Sequence, residues 1–398
     1  MRFDGLVIRR ASEGDLPGII DLNAEGNGET ASAELRRALG VQALASCDFA
    51  VALDGDRLVS TVGLLSLRLY LGEVAIPTGQ PEFVVTHSDY RGRGLVRALL
   101  DVVHGWSAQR GDLVQIIEGI PYFYRQFGYQ YAIRLPPERL VPPDTDFGET
   151  GPWETRPATL ADIPTMRQMQ DSVQARADLR LPYAEEIWPV LTGLPHADLA
   201  VAVRDGVIHG VGRIRPAEGG PVAVRAVAAN CPGAARALLL RARQTHPGSS
   251  LVVADRADSS ISTVLAEGSF PVAEKQWWLY VRIPDPVALL MQLRPVLTER
   301  IAASCFSGHS GDVVISLYRS TLRLTIERGR LATVSDGPIM QSPVSEGASC
   351  IPPDLVTRVV YGPDGVLGLD HHPDVILGRQ RALMGVLFPP VRADVLTW

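Results

Sequence analysis

The chain has 398 residues, of which 46% are apolar and 21% charged, and its formal net charge at pH 7 is −6. This length predicts two or three domains, and the composition is that of a folded globular protein. The negative charge argues against a nucleic-acid partner held by bulk electrostatics, and no apolar run approaches the ~20 residues of a membrane helix.

The 4 cysteines are widely spaced and form no Cys-x-x-Cys pair, which predicts reduced thiols in a cytoplasmic protein. The first residues lead directly into a strand-like run, so no signal peptide is predicted. His371 and His372 have no acidic or thiol ligand spaced to join them, and we predict no metal site.

The N-terminal part of the chain alternates strand and helix signals. Ser12 and Asp15 have the spacing of a capping box, which predicts that a helix begins there. The other elements expected here are a strand at 6–9, a helix at 31–39, a hairpin at 48–53 and 57–65, and an extended segment at 67–76.

Residues 82–100 predict a strand, a glycine turn and a helix, in that order. The apolar stripe of the helix is formed by Leu95, Ala98, Leu99, Val102, Val103 and Trp106. The first N–H groups of a helix have no internal acceptor, and they point outward with the positive end of the helix dipole. Gly92 and Gly94 allow close approach of a ligand, so this turn suits a phosphate or pyrophosphate.

Three kinds of phosphate site fit a glycine turn of this type. No Gly-Lys-Ser/Thr follows the glycines, which excludes a P-loop, and Arg97 replaces the third glycine of a dinucleotide fingerprint. The run Arg91-Gly92-Arg93-Gly94-Leu95-Val96 instead resembles the acetyl-CoA pyrophosphate loop of the GNAT N-acetyltransferase superfamily. It departs from that pattern at Val96, where the family usually has Gly or Ala.

That resemblance implies an acetyl-CoA site with no metal. The residues it implies for cofactor binding are Phe83, Val84, Val85, Arg91, Gly92, Arg93, Gly94, Leu95, Val96 and Arg97. In this role the backbone N–H groups of Val84 and Val85 would donate to the thioester and pantetheine amides.

An aromatic cluster follows a strand-like run at 114–118. GNAT enzymes have a tyrosine four residues before the glycine of a Phe-Gly-aromatic turn, where it protonates the departing coenzyme A thiolate. Tyr124 holds this place relative to Gly128. Packing in the core is the alternative, and we favour it for the neighbouring Tyr122, Phe123 and Phe127. A strand from 129 to 140 is expected to close the sheet, followed by a linker at 136–152.

An internal repeat begins in the second part of the chain. Residues 9–17 are echoed by residues 156–164, and the hairpin at 50–63 by 200–212. The repeat lacks an Arg-Gly-x-Gly loop, and Val264 stands where the first copy has Tyr124. We therefore predict a degenerate second GNAT unit that walls the cleft of the first.

Beyond residue 285, helices and short strands resemble the small α+β sterol-carrier-like domain of Eis-type (enhanced intracellular survival) acetyltransferases. The predicted fold is therefore α+β, with an active GNAT domain at 1–148, a degenerate GNAT domain at 149–284 and a sterol-carrier-like domain at 285–398. The resemblance implies a hexamer and an amine acceptor such as an aminoglycoside, a polyamine or a lysine side chain.

The Eis resemblance also implies that the C-terminal carboxylate, here on Trp398, is the catalytic base. Glu82 and Glu118 are rival bases, since a free α-carboxyl is a weak base with a pKa of about 3.5. Two other functions stay open: another tandem-GNAT acyltransferase of the mycothiol-synthase kind, and a lipid-binding scaffold without activity. The segment 285–398 argues against the first and the intact glycine loop against the second.

Overall fold

The structure is a computed structural model that describes residues 2–41, 44, 47–148, 151–194, 196–216 and 220–397. The elements up to residue 134 are strands β1 (Arg2–Phe3), β2 (Leu6–Arg10), β3 (Asp48–Asp54), β4 (Arg57–Leu71), β5 (Val74–Thr86), β6 (Val114–Ile117) and β7 (Gln130–Arg134), with helices α1 (Leu16–Asn27), α2 (Glu29–Gly40) and α3 (Leu95–Arg110). The predicted strand, turn and helix at 82–100 are confirmed.

The middle of the chain repeats this alternation. Its strands are β8 (Glu138–Val141), β9 (Glu154–Pro157), β10 (Leu179–Leu181), β11 (Asp198–Arg204), β12 (Val207–Arg215), β13 (Val222–Ala229), β14 (Leu251–Ala254) and β15 (Trp278–Arg282). Its helices are α4 (Ile163–Gln174), α5 (Trp188–Leu191), α6 (Pro232–Thr245) and α7 (Ser260–Glu267).

The last part of the chain is a smaller α+β unit. Its helices are α8 (Pro286–Gln292), α9 (Arg294–Ala302), α10 (Val356–Tyr361), α11 (Gly365–Gly368) and α12 (Arg381–Leu387). Its strands are β16 (Gly311–Ser316), β17 (Thr321–Glu327), β18 (Arg330–Gly337), β19 (Ser349–Cys350) and β20 (Ala393–Val395). The α+β class is confirmed, and the sterol-carrier-like assignment of this unit stays a prediction.

The strands form three sheets, and the first two exchange strands. The first sheet has the order β1-β2-β3-β4-β5-β6-β15-β7, with β10 also paired to β4 and β20 to β10. The second has the order β8-β14-β13-β12-β11-β9, and the third β18-β17-β16-β19. Strand β15 thus lies between β6 and β7 of the first sheet, while β8 lies at the edge of the second.

This exchange corrects two expectations. Residues 129–140 do not form one closing strand, because β7 ends at Arg134 and β8 pairs with β14. The stretch 136–152 is not only a linker, because it contains β8. Each predicted unit therefore completes the sheet of the other, so their sequence boundary does not coincide with the boundary between sheets.

The internal repeat is confirmed at the level of single contacts. Arg9 donates to Asp15 with N–O distances of 2.6 and 2.8 Å, and Arg156 donates to Asp162 with the same two distances. Each aspartate also completes a capping box with the residue three positions earlier. The same local sequence therefore starts α1 and α4 in the same way.

The three parts share buried cores. Leu69 and Ile76 of the first sheet belong to one apolar cluster with Leu289 and Leu293 of the last unit. Helix α1 packs closely on β5, since a Cβ on Gly26 would lie 2.4 Å from Val85 Cγ1. Among the helices that the structure describes, none combines the length and apolar character that crossing a bilayer requires.

Candidate active site

A cavity opens where two parallel strands separate. β5 and β6 pair only at Thr78 with Val114 and at Gly79 with Gln115, and then diverge. The cavity has a volume of about 370 Å³ and is lined by residues that follow these pairs, including Gln80 to Val84 on one side and Ile117 to Gly119 on the other. Where two strands diverge, an extended ligand can lie along their facing edges, as in strand addition.

The wall of the cavity contains a β-bulge. Thr61 pairs with Val85 and Gly63 with Glu82, so Phe83 and Val84 together lie opposite one residue of β4. Phe83 has a positive φ of 54°, uncommon for a residue with a side chain. A bulge re-aims the backbone and side chains of its strand, and here it turns both residues toward the cavity lining.

The glycine turn lies between the end of β5 and the start of α3. Gly92 and Gly94 have φ values of 75° and 78°, in the region that favours glycine, and Gly94 caps the helix. Helix α3 begins at Leu95 and runs for 16 residues. Its first N–H groups have no acceptor within the helix, so its start is a suitable anion site.

Three arginines hold this turn against the body of the domain. Arg91 Nε donates to the Thr86 carbonyl at 3.2 Å, and Arg93 Nε donates to Asp4 Oδ2 at 2.5 Å. Arg97 Nη2 donates to Gln126 Oε1 at 2.8 Å. Their positive charge therefore lies around the start of α3.

Tyr124 lies in a short 3-10 helix, Phe123–Phe127, and lines the cavity. The residue is 4% exposed, and its ring packs so closely on Gly119 that a Cβ there would lie 2.2 Å from Tyr124 Cε2. Burial, with the charge of Glu82 second, raises the pKa of the Tyr124 hydroxyl. At neutral pH the hydroxyl therefore keeps its proton.

Glu82 lines the same cavity and is half-buried. Loss of solvation raises the pKa of this carboxyl to about 7, and the charges of Glu118 and Glu34 act in the same direction. A hydrogen bond from Gln80 Nε2 at 2.7 Å opposes the shift. A carboxyl with this pKa exchanges protons near neutral pH, as a general base requires.

Residues 7–132 match the family model described as acetyltransferase (GNAT) domain. This part of the chain is a GNAT acetyltransferase domain. The superfamily predicted from the glycine loop and Tyr124 is therefore confirmed. A comparison with curated proteins found no significant match.

The whole chain is similar to several solved structures. A GCN5-related N-acetyltransferase from Anabaena variabilis gives a TM-score of 0.71 at 12% identity, covering 98% of this chain and 99% of that one. A probable N-acyltransferase from Enterococcus faecalis gives 0.70 at 14%, and Eis1 from Mycobacterium abscessus gives 0.62 at 14%, both with the same coverage. At this identity the comparison shows that the entire chain shares the fold of these structures, Eis1 among them.

The GNAT domain brings together only part of the predicted site. Phe83, Val84, Tyr124 and the rival bases Glu82 and Glu118 line the cavity. The turn residues 91–97 do not belong to the lining within the described part of the chain, and lie at the start of α3 instead. Val85 is buried beneath α1. Trp398 lies outside the described residues.

A cluster around Glu34 was not predicted. Glu34, on α2, lines the cavity and pairs with Arg215 at 3.0 Å, Arg213 at 3.7 Å and His196 at 3.0 Å. Its partners lie more than 160 residues away along the chain, so no local pattern could reveal them. The cluster joins the GNAT domain to the second sheet at the edge of the cavity.

The second unit walls the cavity, as predicted. Residues 181–184 together with Glu186 and Ile187 contribute to the lining. At the start of α6, a Cβ on Gly233 would lie 2.7 Å from Trp153 Nε1. The indole of Trp153 therefore packs against the first turn of α6.

The last described residues also reach the cavity. Leu396 and Thr397 belong to its lining. The Thr397 carbonyl accepts hydrogen bonds from Tyr183 Oη at 3.4 Å and from Arg213 Nη1 at 3.3 Å. Three parts of the chain thus meet in one wall.

Proposed function

We propose that this chain is an acetyl-CoA-dependent N-acetyltransferase that acts on primary amines. The observation that carries the proposal is that Tyr124 and Glu82 line one cavity, in the gap between β5 and β6. A proton donor and a proton acceptor then flank the space where an amine would meet a thioester. The GNAT family match supports acetyl transfer.

The geometry fits acetyl-CoA in two places. The pyrophosphate would bind the N–H groups at the start of α3, where Gly92 and Gly94 leave room for it. The pantetheine arm carries amides, and it would lie along the open strand edges in the gap between β5 and β6. In this arrangement the Val84 and Val85 N–H groups are the proposed donors to the thioester and pantetheine oxygens.

The reaction has three requirements. The ammonium form of the acceptor must lose a proton, since an aliphatic amine has a pKa near ~10. The amine nitrogen then attacks the thioester carbonyl carbon, the carbon–sulfur bond breaks, and the nitrogen loses its second proton as the amide forms. That proton balances the one that Tyr124 gives to the thiolate. We assign protonation of the departing thiolate to Tyr124, and removal of the ammonium proton to Glu82 or to the predicted Trp398 carboxylate.

The charges of the cavity favour a cationic acceptor. Four acidic side chains belong to the lining, Glu34, Glu82, Glu118 and Glu186, and the described lining includes no lysine or arginine. Glu34 is paired with Arg213 and Arg215, and Glu82 is partly protonated near neutral pH, so Glu118 and Glu186 contribute most of the negative charge. A cleft lined by one sign of charge concentrates ligands of the opposite sign. We therefore propose a cationic primary amine as the acceptor, in the class of aminoglycosides, polyamines and lysine side chains.

We propose a division of the chain into three domains, based on the internal repeat and on the Eis resemblance. An active GNAT domain at 1–148 and a degenerate one at 149–284 precede a sterol-carrier-like domain at 285–398. Light scattering at several protein concentrations would test the hexamer that the Eis resemblance implies.

A coenzyme A release assay tests the activity. We expect turnover with acetyl-CoA and at least one of an aminoglycoside, a polyamine or a lysine peptide, and none with their fully acetylated forms. Titration calorimetry with acetyl-CoA supplies the control that is independent of the acceptor. If acetyl-CoA does not bind, the enzyme proposal is wrong and a scaffold role is favoured.

A further inference from the structure

The segment 392–397 runs from the last unit into the cavity wall. Strand β20 pairs in parallel with β10, and the Leu396 N–H donates to the Leu181 carbonyl at 3.0 Å. β10 itself pairs with β4 of the GNAT domain. A strand of the second unit therefore lies between the GNAT domain and the end of the described chain.

Side chains of the second unit also hold this segment. Gln174 Nε2 donates to the Asp394 carbonyl at 2.9 Å and to the Leu181 carbonyl at 3.1 Å, which ties β20 to β10. Further along, Tyr183 and Arg213 hold the Thr397 carbonyl. The backbone of the segment is thus bound at several points before it reaches the cavity.

The central contact is a buried ion pair. Arg256 Nε donates to Asp394 Oδ2 at 2.9 Å, and the two side chains are 1% and 9% exposed. Arg256 Nη1 also donates to Gln170 Oε1 at 2.6 Å and to the Val227 carbonyl at 3.0 Å. The guanidinium is therefore fixed to α4 and β13 before it meets the carboxylate.

A buried ion pair adds little net stability, because desolvation of both charges offsets their attraction. It does restrict geometry, because a displaced carboxylate would leave a buried cation without a partner. Asp394 lies two and three residues before Leu396 and Thr397, which line the cavity. A shift of Asp394 would therefore move the cavity wall.

We propose that Arg256 and Asp394 are positioning residues that set Leu396 and Thr397 in the wall of the active-site cavity. This gives the second unit, in which Trp153 packs against the first turn of α6, a role as the holder of that segment. The inference rests on the proposed acetyl transfer. The proposed pyrophosphate site at the start of α3 does not belong to the described lining of this cavity. The pair should therefore affect acceptor use far more than acetyl-CoA binding.

The chain offers a matched control for this pair. Arg392 and Asp258 form a second ion pair between the same two segments, but their side chains are 47% and 65% exposed. Asp258 has a φ of 57°, which asparagine tolerates well. Asp394→Asn and Asp258→Asn therefore make the same chemical change, one in a buried pair and one in an exposed pair.

The first measurement is steady-state kinetics of the full chain with saturating acetyl-CoA. Asp394→Asn should lower kcat/KM for the acceptor at least tenfold, with the acetyl-CoA Kd within twofold of the parent. Asp258→Asn should change neither value by more than twofold. A lower melting temperature with unchanged kcat/KM per folded protein would overturn the proposal, since it is the signature of a merely structural pair.

The second measurement does not depend on activity. Amide hydrogen exchange should become at least tenfold faster at residues 395–397 in Asp394→Asn, with no change in β3 and β4. Unchanged exchange at residues 395–397 would overturn the proposed positioning role of the pair even if no acceptor is ever found. If the single variant does not fold, the double variant Arg256→Met, Asp394→Leu removes both charges and keeps much of the volume. Parent-like exchange and acceptor kinetics in that folded double variant would also contradict the proposal.

Discussion

Glu82 and Tyr124 line one cavity, and burial of the tyrosine together with the nearby Glu82 charge raises the pKa of the Tyr124 hydroxyl. Burial also raises the pKa of Glu82, to about 7. At neutral pH the Tyr124 hydroxyl therefore keeps its proton, while the Glu82 carboxyl gains or loses a proton around pH 7. Pairs of this kind are common where acid and base functions are divided between residues.

Replacement of Tyr124 by Phe tests the acid. The change removes one hydroxyl and little volume, so the aromatic packing against Gly119 and Tyr280 should persist. If the hydroxyl protonates the thiolate, turnover should fall by ~10²–10⁴ with acetyl-CoA affinity retained. Tyr122 belongs to the same loop and is 74% exposed, so the prediction that it packs in the core is wrong. Tyr122→Phe is therefore the matched control. A loss below about threefold at Tyr124 would assign it to core packing.

Glu82→Gln tests the raised carboxyl pKa through stability. In the folded chain the pKa rises from 4.5 to about 7, so the folded state binds more protons than the unfolded state between these values. The parent should therefore lose up to about 3 kcal/mol of unfolding free energy as pH rises from about 4.5 to 7, and no more above that.

The Gln variant has no such titration. Its stability relative to the parent should rise by up to that amount between pH 4.5 and pH 8, as measured by urea unfolding at each pH. The difference between the two proteins cancels the other titrating groups, which both share. A constant difference in unfolding free energy between the two proteins across this pH range would contradict the raised pKa of Glu82.

Much of the fold follows from local sequence, as the pairs Arg9–Asp15 and Arg156–Asp162 illustrate. A capping box and its arginine lie within seven residues, so the repeat could be recognised and its contacts hold in both copies. The glycine turn is equally local, because the positive φ at Gly92 and Gly94 requires the residue type found there.

The parts that sequence could not predict depend on distant contacts. β15 enters the first sheet between β6 and β7, although the paired residues Gln130 and Val281 lie 151 positions apart along the chain. The only sequence signal for β15 is an apolar run, which does not indicate its partners. Glu34 likewise meets Arg215 and His196 only through the packing of two sheets. Alternation and helix periodicity predict that such elements exist, but not which sheet they join.

Gly94 tests the pyrophosphate site. Gly94→Glu places a side chain in a left-handed position and a negative charge at the start of α3, so acetyl-CoA binding should be lost. Gly94→Gln carries the same backbone strain without the charge, and the difference between the two variants isolates electrostatics. We expect at least tenfold weaker binding for Glu than for Gln by calorimetry. Equal acetyl-CoA affinities in the two folded variants would exclude an anion at this helix start.

The stoichiometry of acetyl-CoA tests the degenerate unit. Trp153 lies against the first turn of α6, and Cys231 precedes the helix without a glycine loop. One acetyl-CoA should therefore bind per chain, and Cys231→Ser should leave turnover within twofold of the parent. Two binding events per chain in calorimetry would show that the second unit keeps a site.

The identity of the base is the last prediction, and two candidates compete for it. If the carboxylate of Trp398 is the base, residues appended after Trp398 should suppress turnover, since that carboxylate becomes an amide. Deletion of Trp398 moves the carboxylate by up to ~3.5 Å, too far for proton transfer at ~3 Å, and should have the same effect. Trp398→Phe keeps the carboxylate and should stay active.

If Glu82 is the base, the opposite results are expected. The chain with residues appended after Trp398 should keep its turnover, and turnover of Glu82→Gln should fall by ~10²–10⁴-fold with acetyl-CoA affinity retained. The pH profile supplies an independent test, because in the parent kcat/KM should rise with pH through about 7 as the Glu82 carboxyl loses its proton. A parent-like acidic limb in Glu82→Gln, combined with an inactive extended chain, would exclude Glu82 and assign the proton transfer to the chain end.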